Sequence, residues 1–157
     1  MRWRTPVTLL LLLASCGSAN RQPVINRVIL PASAASHMLE QCSRDAPIMD
    51  GKAWQPTDDD VDAMEAILPK VLAGLPQARE VDYSGLLGKW QRQYVGLVRG
   101  GRRFIYGNYF PVEPTNELDQ WRKQPMIVCD GGLRYFGAEF DLAAKRLTRI
   151  DFNGSIG

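Results

Sequence analysis

Trp90 Gln91 Arg92 Gln93 Tyr94 Val95 Gly96 Leu97 Val98 Arg99 Gly100 Gly101 Arg102 Arg103 Phe104 Ile105 Tyr106 Gly107 Asn108 Tyr109 Phe110 is the stretch that decides the fold. Two runs with a period of two flank Gly100 Gly101, and paired glycines accept the positive φ angles of a two-residue hairpin turn. Such a turn fixes the register. Arg99 falls opposite Arg102, Leu97 opposite Phe104, Val95 opposite Tyr106 and Gln93 opposite Asn108. On the other face Gly96 falls opposite Ile105 and Tyr94 opposite Gly107, so each large side chain meets a glycine gap. The face of Val95, Leu97, Phe104 and Tyr106 is the more uniformly apolar and is expected under a covering helix. That leaves Tyr94, Ile105 and Tyr109, bordered by Arg92 and Arg103, as an open aromatic patch and candidate binding surface.

The helix is found upstream. Thr57 followed by Asp60 resembles a capping box, and Asp58, Asp59 and Asp60 place negative charge at the positive end of the helix dipole. Val61, Met64, Ile67, Leu68, Val71, Leu72 and Leu75 then share one face. Pro69 is expected to kink the helix or start a fresh turn, and Gly74 and Pro76 to end it. Before it, Ala34 to Gln41 suggests a short helix and Asp45 to Gln55 a loop.

Downstream, a Pro- and Glu-rich loop from Pro111 to Leu118 leads to Trp121. Met126 to Asp130 and Leu133 to Asp141 flank Gly131 Gly132 as a second hairpin. Leu142 to Lys145 turns the chain into a last strand, Leu147 to Phe152. The expected fold is α+β, one long helix packed on a four- to five-stranded antiparallel meander. In outline this is similar to the cystatin and NTF2-like architectures, an analogy of fold that carries no function.

At the other end, Arg2 and Arg4 precede the apolar run Val7 to Ala14, the pattern of a secretion signal. The run is too short for a bilayer, which takes roughly 20 residues. Leu13 Ala14 Ser15 Cys16 resembles a lipobox, whose cysteine carries lipid after cleavage; cleavage after Ala19 is the alternative. The expected organisation is a signal peptide over 1–15, a lipidated tether over 16–36 and one globular domain over 37–157. Gly17 after the cysteine, where Asp does not stand, resembles outer-membrane sorting.

Removal of Arg2 and Arg4 with the signal brings the 19 Lys and Arg level with the 17 Asp and Glu. A formally neutral chain gives no reason to expect nucleic acid as a partner. With Cys16 assigned to lipid, Cys42 and Cys129 remain as an even pair in an oxidising compartment, where a disulfide is expected and two buried free thiols are the alternative.

No motif assembles a cofactor or metal site. Asp58, Asp60 and Asp62 alternate like the start of a calcium loop, but Ala63 and Pro69 stand where such a loop needs Gly and Glu. Gly88 Lys89 lacks the other residues of a phosphate-binding loop. His37 is the only histidine, which leaves a Ser-His-Asp triad poorly supplied. Asp130, Glu139 and Asp141 are the nearest candidates for a carboxylate pair, although Asp130 before two glycines also suits a turn. The arginines around Gly100 Gly101 suit an acidic ligand or a guarded hairpin tip.

Leu13 to Cys16, Cys42 Ser43 Arg44, Trp54 to Glu65, Tyr94 to Phe110, Cys129 to Gly132, Phe136 to Asp141 and Phe152 Asn153 Gly154 together resemble a family of small bacterial cell-envelope lipoproteins. The resemblance implies an envelope location and the Cys42–Cys129 pairing, and it implies no activity. The functional expectation is therefore a non-catalytic envelope lipoprotein, attached to the membrane through its anchor, whose sheet face binds a protein or cell-wall ligand. The alternative is a hydrolase acting on envelope glycan or lipid with paired carboxylates.

Overall fold

The computed structural model describes residues 26–112 and 120–155. In chain order the elements are β1 (Arg27–Ile29), α1 (Ala35–Met38), β2 (Lys52–Trp54), α2 (Asp58–Glu65), α3 (Leu68–Ala73), α4 (Leu86–Lys89), β3 (Trp90–Arg99), β4 (Arg102–Pro111), β5 (Phe136–Asp141) and β6 (Arg146–Phe152). Short 3-10 turns precede α1, follow α3 and flank the segment from Gln120 to Arg134. The six strands form one sheet in the order β1-β3-β4-β5-β6, with β2 also paired to β3.

The hairpin at the centre has the register its turn dictates. Arg99 lies opposite Arg102, Leu97 opposite Phe104 and Gln93 opposite Asn108, with Gly100 and Gly101 at φ 57° and 70°. The capping box also forms: the Asp60 amide donates to Thr57 Oγ1 at 3.3 Å and the Thr57 amide to Asp60 Oδ2 at 2.9 Å.

The expectation of one long helix on an antiparallel meander is overturned in both its parts. The helical segment is split into α2 and α3, with Pro69 in the first turn of α3, where its missing N–H costs nothing. The sheet is mixed, because β1 runs parallel to β3, pairing Arg27 with Arg92 and Ile29 with Tyr94. Antiparallel β2 pairs the other half of the same edge, Lys52 with Val98 and Trp54 with Gly96. Both short strands come from residues read as tether or loop. At three residues each they are below the length at which alternation is visible, and their pairing is nonlocal. The fold thus begins by Asn26, inside the tether expected over 16–36.

The expected strand from Met126 to Asp130 is irregular instead. Side chains replace the ladder there. Asn108 Nδ2 donates to the Met126 carbonyl at 2.9 Å, Gln93 Oε1 accepts from the Met126 amide at 2.8 Å, and Asn153 Nδ2 donates to Val128 and Asp130 carbonyls, both at 2.7 Å. A Cys42–Cys129 disulfide, with Cα atoms 4.9 Å apart, joins this segment to the one after α1.

Both sheet faces are covered. Val61, Met64, Leu68 and Leu72 of α2 and α3 pack on Tyr94, Ile105, Tyr109, Phe136 and Phe140. Leu30, Ala35 and Met38 pack on Val95, Leu97, Phe104 and Tyr106. The helical cover is thus on the face expected to be open, and the N-terminal segment covers the face expected under the helix.

Candidate functional site

The structure buries most of the expected binding surface. Arg92, Tyr94, Ile105 and Tyr109 are inaccessible to solvent, so they form no open patch. Arg103 alone of the set is exposed, with its guanidinium 5.0 Å from the centre of the Trp54 ring. The physical reason is Glu65, which α2 delivers to the sheet. Its Oε1 accepts from Arg92 Nε at 2.8 Å and from the Tyr94 hydroxyl at 2.6 Å, and its Oε2 accepts from Arg27 Nη1 at 3.1 Å. Most of the polar tips that would demand solvent on an open face are thereby satisfied internally, with Arg92 Nη2 the one buried nitrogen of that guanidinium left without a hydrogen-bond partner among the described residues.

Arg27 extends the cluster by pairing with Asp58 at 2.8 Å and Asp62 at 2.6 Å. Arg92 Nη1 donates to the carbonyls of Leu86 and Trp90 at 3.4 and 3.0 Å, and also to Leu87, which satisfies the end of α4. The cluster is a clamp that joins β1, α2, β3 and α4. Burial opposes the charge on Arg27, but the hydrogen bond it donates to Asp62 and the nearby Glu65 carboxylate hold its pKa above the ordinary value. Burial also pushes the Tyr94 hydroxyl well up, and burial raises Tyr109 as well. One signal pointed to the clamp. Asp58, Asp62 and Glu65 repeat at helical spacing, an acidic stripe that a capping role accounts for only at its first residue.

The carboxylates considered for catalysis are engaged elsewhere. Glu139 receives Arg99 on both oxygens, at 2.8 and 2.9 Å, and the Thr148 hydroxyl at 2.6 Å. Asp141 pairs with Arg102 and accepts the Ala143 and Ala144 amides at 3.1 and 3.0 Å, which closes the β5–β6 turn. Asp130 precedes Gly131, at φ 98°, in a turn role. Glu139 and Asp141 therefore hold the sheet and its turn together. Among the described residues no group of three His, Cys, Asp or Glu side chains is placed to hold a metal ion.

A surface the sequence reading missed is at the far edge of the sheet. Among the described residues β6 has one strand partner, β5. Beside its outer edge runs a groove of about 300 Å³ lined by Val71, Leu75, Gln77, Leu147, Ile150 and Phe152. A register shift at Glu139/Phe140 leaves Thr148 as an extra residue in β6, and 149–152 resume regular pairing. Leu147, Ile150 and Phe152 were visible as an apolar set in the last strand. Their neighbours on α3 were not, because that contact depends on which face the helix covers.

Cys16, the signal expected over 1–15 and residues 113–118 of the loop expected from Pro111 to Leu118 lie outside the described residues. No described helix is long and apolar enough to cross a membrane. Compared with family models, curated proteins and solved structures, the chain matches none of them.

Proposed function

We propose that this chain is a non-catalytic protein of the bacterial cell envelope, lipid-anchored at Cys16 and facing the periplasm from the outer membrane. Its partner is an extended segment of another envelope protein, which adds to the sheet along β6. The observation that supports this reading most is the unpaired edge of residues 149–152 beside the apolar groove between α3 and β6. Strand addition draws affinity from main-chain hydrogen bonds and specificity from pockets for alternate side chains. Exposed Arg146 and the bulge at Thr148 obstruct the first half of the edge. The partner strand is accordingly short, with apolar side chains directed to the groove.

A photo-crosslinking residue in place of exposed Thr148 tests the site in intact cells. The expected result is one defined envelope adduct that weakens with Leu75→Glu and does not form from the same probe at Arg103. Equal adducts from both positions overturn the site. Location is tested separately, since Cys16→Ala should release the protein from the membrane fraction. Wild-type protein without acyl chains in its mass overturns the anchor.

A further inference from the structure

We infer that the domain itself rests on the lipid surface through the end of the sheet where the chain enters, with Leu87 and Val112 in contact with the bilayer. This rests on the Cys16 anchor proposed above. The described residues begin at Asn26, which has φ 65°, a left-handed conformation that Asn tolerates. Its side-chain amide donates to the Gly88 carbonyl at 3.3 Å, and its own carbonyl accepts from the Arg92 amide at 2.9 Å. The root of the tether is thus pinned to α4, beside the Trp90–Pro111 pair that closes the hairpin at this end.

From Cys16 to Asn26 the chain spans at most about 34 Å, at ~3.4 Å per residue. That length keeps this end of the domain close to the membrane. Three large hydrophobic side chains among the described residues are exposed, and two of them flank the root: Leu87 at 36% on α4 and Val112 at 50% just beyond Pro111. Exposed Lys89 lies between Leu87 and Trp90 in sequence and supplies a cation for phosphate headgroups. Apolar side chains with a neighbouring lysine, beside a lipidated tether, suit a lipid interface better than water. The third exposed hydrophobic, Ile48, is at the opposite end, where its carbonyl accepts from Arg99 at 3.1 Å near the Gly100–Gly101 turn. Strands of this length put that turn about 30 Å from the root.

The test uses the full acylated chain in vesicles of phosphatidylethanolamine and phosphatidylglycerol. Single cysteines at Leu87→Cys, Val112→Cys or Ile48→Cys carry an environment-sensitive fluorophore, the native cysteines being held in the disulfide and the acyl linkage. The expected result is a blue shift and quenching by nitroxide lipid at positions 87 and 112, with neither at 48. Acylated protein whose three probes respond alike overturns the seating and leaves the anchor standing. Protein that carries no acyl chains overturns the anchor and the seating together.

Discussion

Arg92 and Glu65 meet 2.8 Å apart between α2 and the sheet, the arginine with no solvent exposure and the glutamate nearly so. A buried pair of this kind adds little over apolar residues of the same shape, but removing one partner leaves an uncompensated charge. Glu65→Ala should destabilise the fold by about 3–5 kcal/mol. Glu65→Leu combined with Arg92→Met should recover part of that loss, as read by urea denaturation, the remainder reflecting the Tyr94 hydroxyl and Arg27, which also lose Glu65 as acceptor. Equal losses in the single and double variants would show that the geometry of the pair, and not its charge, holds the helix.

Arg27 links the first strand to three carboxylates of α2. Its replacement by alanine is expected to loosen β1 before the rest of the sheet. Hydrogen exchange should speed up at the Arg92 and Leu30 amides, which bond to Asn26 and to Tyr94 respectively. The amides across β3 and β4 should keep their protection.

From the sequence alone Tyr109 falls on the face expected to be open, where truncation would cost little stability. In the structure its ring stacks on Phe136 with centroids 4.6 Å apart and planes 7° from parallel. Tyr109→Ala and Phe104→Ala should therefore both cost roughly 3–5 kcal/mol, one from each side of the sheet. Gly107→Ala should also destabilise, since its new Cβ would approach Tyr109 Oη to 2.5 Å.

The tyrosines set the alkaline limit. Burial raises the Tyr83 hydroxyl to about 12, with Glu80 adding to the effect, and Tyr94, Tyr106 and Tyr109 are raised as well, each mainly by burial. A folded pKa above the unfolded one gives stability that is complete below the unfolded value and lost as pH climbs toward the folded value. Stability should therefore hold below pH 10 and fall from about pH 10 to 12. Tyr83→Phe should make that decline shallower, measured as Tm against pH.

Reduction of the Cys42–Cys129 disulfide opens a loop of sequence separation 87. Chain entropy alone puts the loss at about 4–5 kcal/mol. The segment from Met126 to Asp130 should gain exchange first, because side chains from the sheet are its other support.

The sequence made the central hairpin legible in full, because a two-residue glycine turn leaves no freedom in register. The Thr57–Asp60 cap and the interruption at Pro69 were legible for the same reason: each is decided within a few residues. What escaped is decided at a distance. No local pattern in Arg27 to Ile29 announces a parallel pairing with β3, and apolarity alone cannot choose a covered face when both are covered. The clamp shows why that criterion failed. Arg92 and Tyr94 look like surface residues until Glu65, far away in sequence, is known to reach them. The groove beside β6 escaped for the same reason, as it exists only where α3 meets the last strand.

The parallel pairing of β1 with β3 also bears on force. A pull on the chain at Asn26, directed away from the domain toward the proposed anchor, runs along the axis of β1 instead of across it. The backbone bonds to β3 and the three ion pairs of Arg27 are then loaded in shear and resist together. An antiparallel strand entering from the opposite end would peel away one bond at a time under the same pull. With the chain anchored as proposed at Cys16, the first strand would serve as a mechanical strain relief between that anchor and the folded domain.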